Sequence, residues 1–418
     1  LFNMGEGTAA YTVLLGEKFV GLTSLVIQAL VPINKKGNVG DCSDVCSSTT
    51  LLAHHLQAPF YLTSLPLKNY TDIKMKQIIT IDFYFQNLEH IPIIDVRSPG
   101  EFAKGQIPDA HNVDLFTDEE RTIVGTAYKK VSQERAIELG YEFVTPKLNE
   151  FINKSIEIAP EKVVVVHCWR GGMRSSAFAD HLIEHGFKKV YVIENGYKSF
   201  RNYVLRSFEE PFNLKILGGY TGTGKTEILH FLEKKGQQVV DLEGLAHHRG
   251  SVFGGIDLPP QPTTEQFENK LFSILRRLNS NIPIWIEDES RIIGNVSIPN
   301  LFYLRMRVMP VYFLNIPLEK RIEHLVNTYA NLSQNKLAGA ISRISKKLGY
   351  DKAKFALDAL ENKNYNQVVE IILFYYDKYY LKGLQKREES SIQTLEITSA
   401  NHEEIADILI SLIDQNNG

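Results

Sequence analysis

Cysteine is scarce in this 418-residue chain, limited to Cys42, Cys46 and Cys168. Three thiols so distributed exclude a disulfide framework as the source of stability. Cys42 and Cys46 have CxxxC spacing, but no second pair completes a four-ligand set, and His54 and His55 lie in an apolar stretch, so no metal centre is expected. Long apolar runs are missing too. The longest uncharged one near the start, 19–32, has 14 residues, short of the roughly 20 that a membrane helix needs. It also lacks a basic segment and a small-residue cleavage site. The expected setting is cytoplasmic, with no membrane partner, where Cys168 stays reduced. Neither sign of charge is in excess: 46 Lys and Arg face 49 Asp and Glu, so a nucleic acid would have to be met by local basic patches and not by the field of the whole molecule. No internal repeat or low-complexity tract interrupts the chain, and 44% hydrophobic with 23% charged residues is the composition of a soluble globular protein.

What is present changes character at Met75. Residues 1–74 mix Ser, Thr, Gly and Leu without a sustained period and read as an N-terminal extension outside the core fold, with a small accessory domain as the alternative. Beyond Met75, apolar runs alternate with helical segments, the pattern of an α/β fold whose parallel strands are buried on both faces. Strands are expected at 91–96, 162–167 and 189–193, with a helix at 175–184, and a second series at 214–217, 238–241, 282–286 and 310–315. The join near 208–213 gives one domain over 75–208 and another over 209–418. The second domain ends in a helical region whose apolar positions recur at three and four.

In "VVVVHCWRGGMRSS" (163–176) a valine run delivers Cys168 to the C-terminal mouth of a strand, where open parallel sheets bind ligands. Gly171 and Gly172 let the backbone curl into an amide nest at the start of a helix, and Arg170 and Arg174 add positive charge. Such surroundings favour a thiolate and an anion, making Cys168 a candidate nucleophile instead of an inert core thiol. Two chemistries share the geometry. His167, Cys168, Arg174 and Ser175 satisfy HCxxxxxR[ST], the loop of cysteine phosphatases. The other chemistry is that of a sulfur carrier, and "IIDVRSPGEFAKGQIPDAHNVDL" (93–115) closely resembles the rhodanese pattern. Within it Asp95 and Arg97 read as a structural ion pair, and Gln106 stands where that family usually has His. The usual rhodanese loop has four residues between cysteine and arginine, whereas five separate Cys168 from Arg174, which makes room for a group larger than one sulfur atom.

"LKILGGYTGTGKTEILHFL" (214–232) fits GxxxxGK[ST] between an apolar strand and an amphipathic helix. Gly219, Gly222 and Gly224 allow amides to wrap phosphate oxygens, Lys225 reaches the terminal phosphates, and the Thr226 hydroxyl suits Mg²⁺. The acid on the metal side is offered by Glu287 or Asp288 at the end of "IPIWIEDES" (282–290), with Asp241 and Glu243 further candidates at the mouth of the site. His247, His248 and Arg249 follow on a glycine-bounded loop suited to phosphate or RNA, or simply to solvent. The basic run 342–354 and the aromatic cluster 374–380 offer phosphate contacts and stacking platforms, though a solvated helix face and a core cluster explain each alone.

The strings "HCWRGGMRSS", "NGYKSFR", "GGYTGTGKTEIL", "DLEGLAHHRGS" and "EDESRIIG", in this order from about Met75 to the C-terminus, resemble the tRNA 2-selenouridine synthases. That resemblance implies a rhodanese-like α/β domain followed by a P-loop NTPase-like parallel-sheet domain. It also implies exchange of the sulfur of wobble 2-thiouridine in tRNA for selenium from selenophosphate, through an S-geranyl intermediate made from geranyl diphosphate. Cys168 would then serve the selenium step, with Arg170, Arg174 and the loop amides drawing in the anionic donor, while residues 219–226 would hold the prenyl diphosphate or a nucleotide. No tightly bound cofactor is expected, and participation of Mg²⁺ is left open. A cysteine phosphatase with a nucleotide domain, a P-loop kinase or ATPase with a rhodanese docking module, and an RNA-binding scaffold are the competing readings.

Overall fold

Four consecutive β-branched residues, Val163 to Val166, can pack on both faces of a pleated strand, and they form the centre of a parallel sheet. The computed structural model describes residues 8–12, 28–32, 75–329, 332–399 and 401–417. The chain divides into two units, 1–71 and 72–418. In the first, β1 (Thr8–Thr12) pairs antiparallel with β2 (Gln28–Pro32), strands that the irregular composition there does not announce. Cys42 and Cys46 lie outside the described residues.

In the second unit, β3 (Met75–Ile79), β4 (Ile93–Asp95), β5 (His111–Asn112), β6 (Val163–His167) and β7 (Lys189–Ile193) form a parallel sheet in the order β3-β7-β6-β4-β5. A second parallel sheet contains β8 (Leu214–Gly219), β9 (Gln238–Val240), β10 (Ile284–Glu287), β13 (Val311–Asn315) and β14 (Ile392–Glu396), in the order β14-β13-β8-β10-β9. Between β10 and β13 the short β11 (Ile292–Ile293) and β12 (Val296–Ser297) pair antiparallel. The expected α/β class is therefore observed, and both motif-bearing strands, β6 and β8, are interior strands whose carboxyl ends open onto the loops that carry the chemistry.

The sheets are not isolated from each other. One continuous apolar cluster joins Ile79, Tyr197 and Phe200 of the first half to Leu214, Phe267 and Phe272 of the second. Polar contacts tighten the seam: Asn269 Nδ2 donates to Gln106 O at 2.9 Å, and Arg201 pairs with Glu268. Helices Gln334–Leu348, Tyr350–Glu361 and Tyr365–Leu384 form the helical region, burying Leu337, Ile341, Ala356 and Ile372 in a core of their own. Among the described residues no helix is long and apolar enough to cross a membrane.

Candidate functional site

Beneath the cysteine loop the sequence places an ion pair that the fold buries completely. Asp95, at the end of β4, sits opposite His167 of β6. Arg97 clamps Asp95 with Nε and Nη2, at 2.9 and 2.6 Å to Oδ2, and Nη2 reaches on to Gly105 O at 2.6 Å. The guanidinium carbon lies 3.7 Å from the centre of the Tyr197 ring. The ion pair expected between these two residues is present, with both side chains fully buried. Burial lowers the pKa of His167 beside it, against the pull of Asp95. Arg97→Ala leaves a buried carboxylate without its counter-charge and should cost roughly 3–5 kcal/mol of stability, read as a lowered urea midpoint in the purified protein.

Cys168 follows directly, 3% exposed, with Sγ 3.3 Å from Ser175 Oγ. The Ser175 hydroxyl can donate to Gly172 O at 3.3 Å, which turns its lone pair toward the thiol, or rotate to donate to a thiolate. The loop is pressed against the turn after β7. Tyr197 N donates to Cys168 O at 2.8 Å and Lys198 N to Trp169 O at 3.0 Å. A Cβ on Gly171, whose φ is +60°, would come within 2.5 Å of Ile193 O, so glycine is required there by both conformation and space. Around Gly172 the space is open. The amides of Arg170, Gly171 and Gly172 have no acceptor among the described residues. The two arginines differ: Arg170 is exposed without a carboxylate partner among the described residues, whereas Arg174 Nη1 donates to Glu101 Oε2 at 3.0 Å. Cys168 thus sits under an amide-rich, positively charged loop, but its side chain is itself part of the buried apolar cluster that includes Ile94, Val96 and Phe178.

The second site is built where β8 ends. Gly219, Gly222 and Gly224 all have positive φ, and Lys225 and Thr226 open the helix Lys225–Lys234. Lys225 Nζ reaches back across the loop to Gly219 O at 3.3 Å, and Thr226 Oγ1 donates to Glu243 Oε2 at 3.0 Å. The acid nearest the threonine hydroxyl is therefore Glu243. Glu287 is buried below, where its Oε2 accepts from Leu242 N at 2.9 Å. Asp288 is committed elsewhere: Arg387 Nη2 lies 2.5 Å and Arg307 Nη1 3.4 Å from Oδ1, while Tyr380 OH donates to Oδ2 at 2.9 Å. That tyrosine also accepts from Gly219 N at 3.1 Å, tying Asp288 to the phosphate loop. Asp241 caps the helix Leu242–Ala246 through Gly244 N and faces His230 Nε2 at 3.3 Å.

Glu289, which the sequence reading passed over, is packed against Glu243. Burial, and then the charge of Glu243, holds its pKa well above the usual carboxylate range. Burial also raises Glu243, opposed by Lys225, and raises Glu287 far up, helped by repulsion from Asp241 and Glu243. Only the succession of acids in "EDES" hinted at this cluster. A cleft of about 890 Å³ leads away from the loop. Its lining combines polar residues, Lys225, Asp241, Glu243, His247 and Arg249, with apolar and aromatic ones, Leu337, Val368, Ile372, Tyr375 and Tyr376. His248 is turned away, half-buried, its pKa lowered by burial.

Similarity to other proteins follows the same two parts. Residues 84–203 match the family described as "Rhodanese-like domain", and residues 212–412 the family described as "tRNA 2-selenouridine synthase AAA domain". Curated relatives bearing the name tRNA 2-selenouridine synthase include one from Sulfurovum sp., 35% identical over 72% of this chain and 90% of its own length. Others come from Nitrosomonas europaea, 34% identical over 71% and 90%, and Hydrogenovibrio crunogenus, 35% identical over 73% and 93%. With both halves matched in order and nearly the full length of these relatives covered, the chain belongs to the tRNA 2-selenouridine synthase family of tRNA-modifying enzymes.

Proposed function

We propose that this protein replaces the sulfur of wobble 2-thiouridine in tRNA with selenium from selenophosphate, by way of an S-geranyl intermediate drawn from geranyl diphosphate. The observation that carries the prenyl step is the mixed lining of the cleft: a phosphate loop and apolar, tyrosine-rich residues in one cavity suit a diphosphate with a hydrocarbon tail. The thiocarbonyl sulfur attacks the allylic carbon, the C–O bond breaks, diphosphate leaves and the uridine ring releases its N3 proton. Lys225 and the loop amides stabilise the charge that develops on the leaving group. Prenylation makes the sulfur a better leaving group: the selenium of selenophosphate bonds to C2, the C2–S bond breaks and geranylthiol leaves with a proton, and water cleaves the Se–P bond to release inorganic phosphate.

Thr226 Oγ1, Glu243 and Glu289 supply the hard oxygen donors that suit Mg²⁺, and a cation there would offset the burial that raises both acids and the Glu243 charge that raises Glu289 further. Bound there, Mg²⁺ would add positive charge against a diphosphate. In the metal-free protein these acids have folded pKa values above their unfolded ones, so their contribution to stability is fullest at low pH and is lost as pH rises through the folded values. Glu289→Gln should accordingly raise the thermal midpoint of metal-free protein at neutral pH and flatten its decline as pH rises. It should also diminish stabilisation by added MgCl₂. Melts across pH with and without MgCl₂ measure both, and unchanged slopes would remove the cation-site assignment.

The selenium step is assigned to Cys168. Its burial requires the loop of residues 169–172 to open for reaction, and the exposed Arg170 stands at that loop. The decisive experiment supplies purified protein with thiolated tRNA and geranyl diphosphate, then selenophosphate, and follows the wobble nucleoside by mass spectrometry. Ordered appearance of the S-geranyl and seleno nucleosides is expected; phosphoester hydrolysis with unchanged tRNA would overturn the reading.

A further inference from the structure

The helices Tyr350–Glu361 and Tyr365–Leu384 bury one set of apolar residues and expose another. Ala353, Ala356, Leu360, Ile372 and Leu373 are buried, whereas Tyr350, Phe355 and Phe374 are 72%, 62% and 64% exposed. Three large rings left in water on a helical surface are unusual for residues whose burial is each worth about 1.5–3 kcal/mol. The charge around them is one-sided. The run 342–354 carries Arg343, Lys346, Lys347, Lys352 and Lys354 against the single acid Asp351. None of these lysines pairs with a carboxylate among the described residues, although Lys147, Lys154 and Lys235 elsewhere all do. Lys352 Nζ instead stands 4.0 Å from the centre of the Phe374 ring. Next to Phe374 in sequence, Tyr375 lines the phosphate-loop cleft, as does the half-exposed Tyr379 one turn on, so the patch continues to the cleft's rim.

Unpaired cations among exposed rings match a polyanion that also presents flat unpaired bases. We propose that this face docks the single-stranded anticodon loop of the tRNA, Phe374 serving as a stacking platform and Lys346, Lys347, Lys352 and Lys354 meeting phosphates. The assignment rests on the tRNA-modifying function above and adds the surface through which the wobble base is brought to the cleft. Duplex RNA would use the lysines alone; the rings point to unpaired bases.

The test uses the full chain and a fluorescent anticodon stem-loop carrying 2-thiouridine, titrated by anisotropy over a salt series. Phe374→Ala should weaken binding roughly 5- to 100-fold, with Phe374→Trp restoring it. The double variant Lys346→Ala/Lys347→Ala should weaken binding and lower the salt slope by about 1.5. In the geranylation assay both variants should raise KM for tRNA while leaving kcat within about twofold, since none of the three residues touches the reacting atoms. All three side chains are exposed, and unchanged thermal melts verify folding. Wild-type binding with both variants indistinguishable from it overturns the surface alone. A wild-type protein that does not bind the stem-loop overturns the surface and the tRNA-modifying reading together.

Discussion

Lys225→Ala should slow prenyl transfer by roughly 10²–10³ while leaving selenium insertion into an already geranylated tRNA. The lysine stands in the first turn after the phosphate loop, and its ammonium already reaches across the glycine bend to Gly219 O. When the C–O bond of a prenyl diphosphate breaks, negative charge accumulates on the departing oxygens, and a fixed cation there acts more strongly on the transition state than on the bound substrate. Removing one such preorganised group costs roughly 10²–10³ in rate. The Gly219 amide contributes less than the bare motif suggests, because it donates to Tyr380 OH and must exchange that bond for a phosphate oxygen. The lysine should therefore dominate. The measurement is single-turnover formation of the S-geranyl nucleoside at saturating geranyl diphosphate, beside a parallel reaction starting from geranylated tRNA. Loss in the first and retention in the second is the expected pair; normal geranylation would show that the loop holds something else.

The two strand-loop-helix units were legible because each combines an uninterrupted apolar run with glycines directly after it, and a strand buried on both faces has that appearance in any sequence. The edges were not. β3 exposes Met75 to Ile78 and buries only Ile79, and β14 is half-exposed along its length, so neither shows the continuous apolar run on which the other strands were found. The acids illustrate a different limit. Glu287 and Asp288 are neighbours in sequence, yet one points beneath Leu242 and the other into a cage of Arg307, Arg387 and Tyr380 contributed from 19 to 99 residues away. Strand alternation separates them to opposite faces, but only the fold says which face carries the threonine hydroxyl, and it is Glu243 that meets it. The inequality of Arg170 and Arg174 likewise depends on Glu101, 73 residues upstream of Arg174.

Cys168→Ala should have the complementary effect: S-geranylated tRNA accumulates and the seleno nucleoside falls by roughly 10³ or more, the scale of losing a nucleophile. The thiol is held under its loop by Tyr197 N to Cys168 O and Lys198 N to Trp169 O, contacts made by the backbone and therefore kept in the variant. Packing loss is confined to one sulfur atom in the apolar cluster of that domain, so folding should survive, and a thermal melt checks it. Cys168→Ser separates shape from chemistry. A hydroxyl retains the contact with Ser175 but is a hard, weakly acidic group, and it should rescue the melt without rescuing selenation. Arg170→Ala should then raise the selenophosphate KM about tenfold with geranylation unchanged, because an exposed cation without a carboxylate partner among the described residues can meet an arriving anion before the loop opens. Arg174→Ala should act mainly through Glu101, whose carboxylate it releases beside the loop. If Cys168→Ala still forms the seleno nucleoside at the wild-type rate, selenium is delivered without this thiol and the buried sulfur is a packing group.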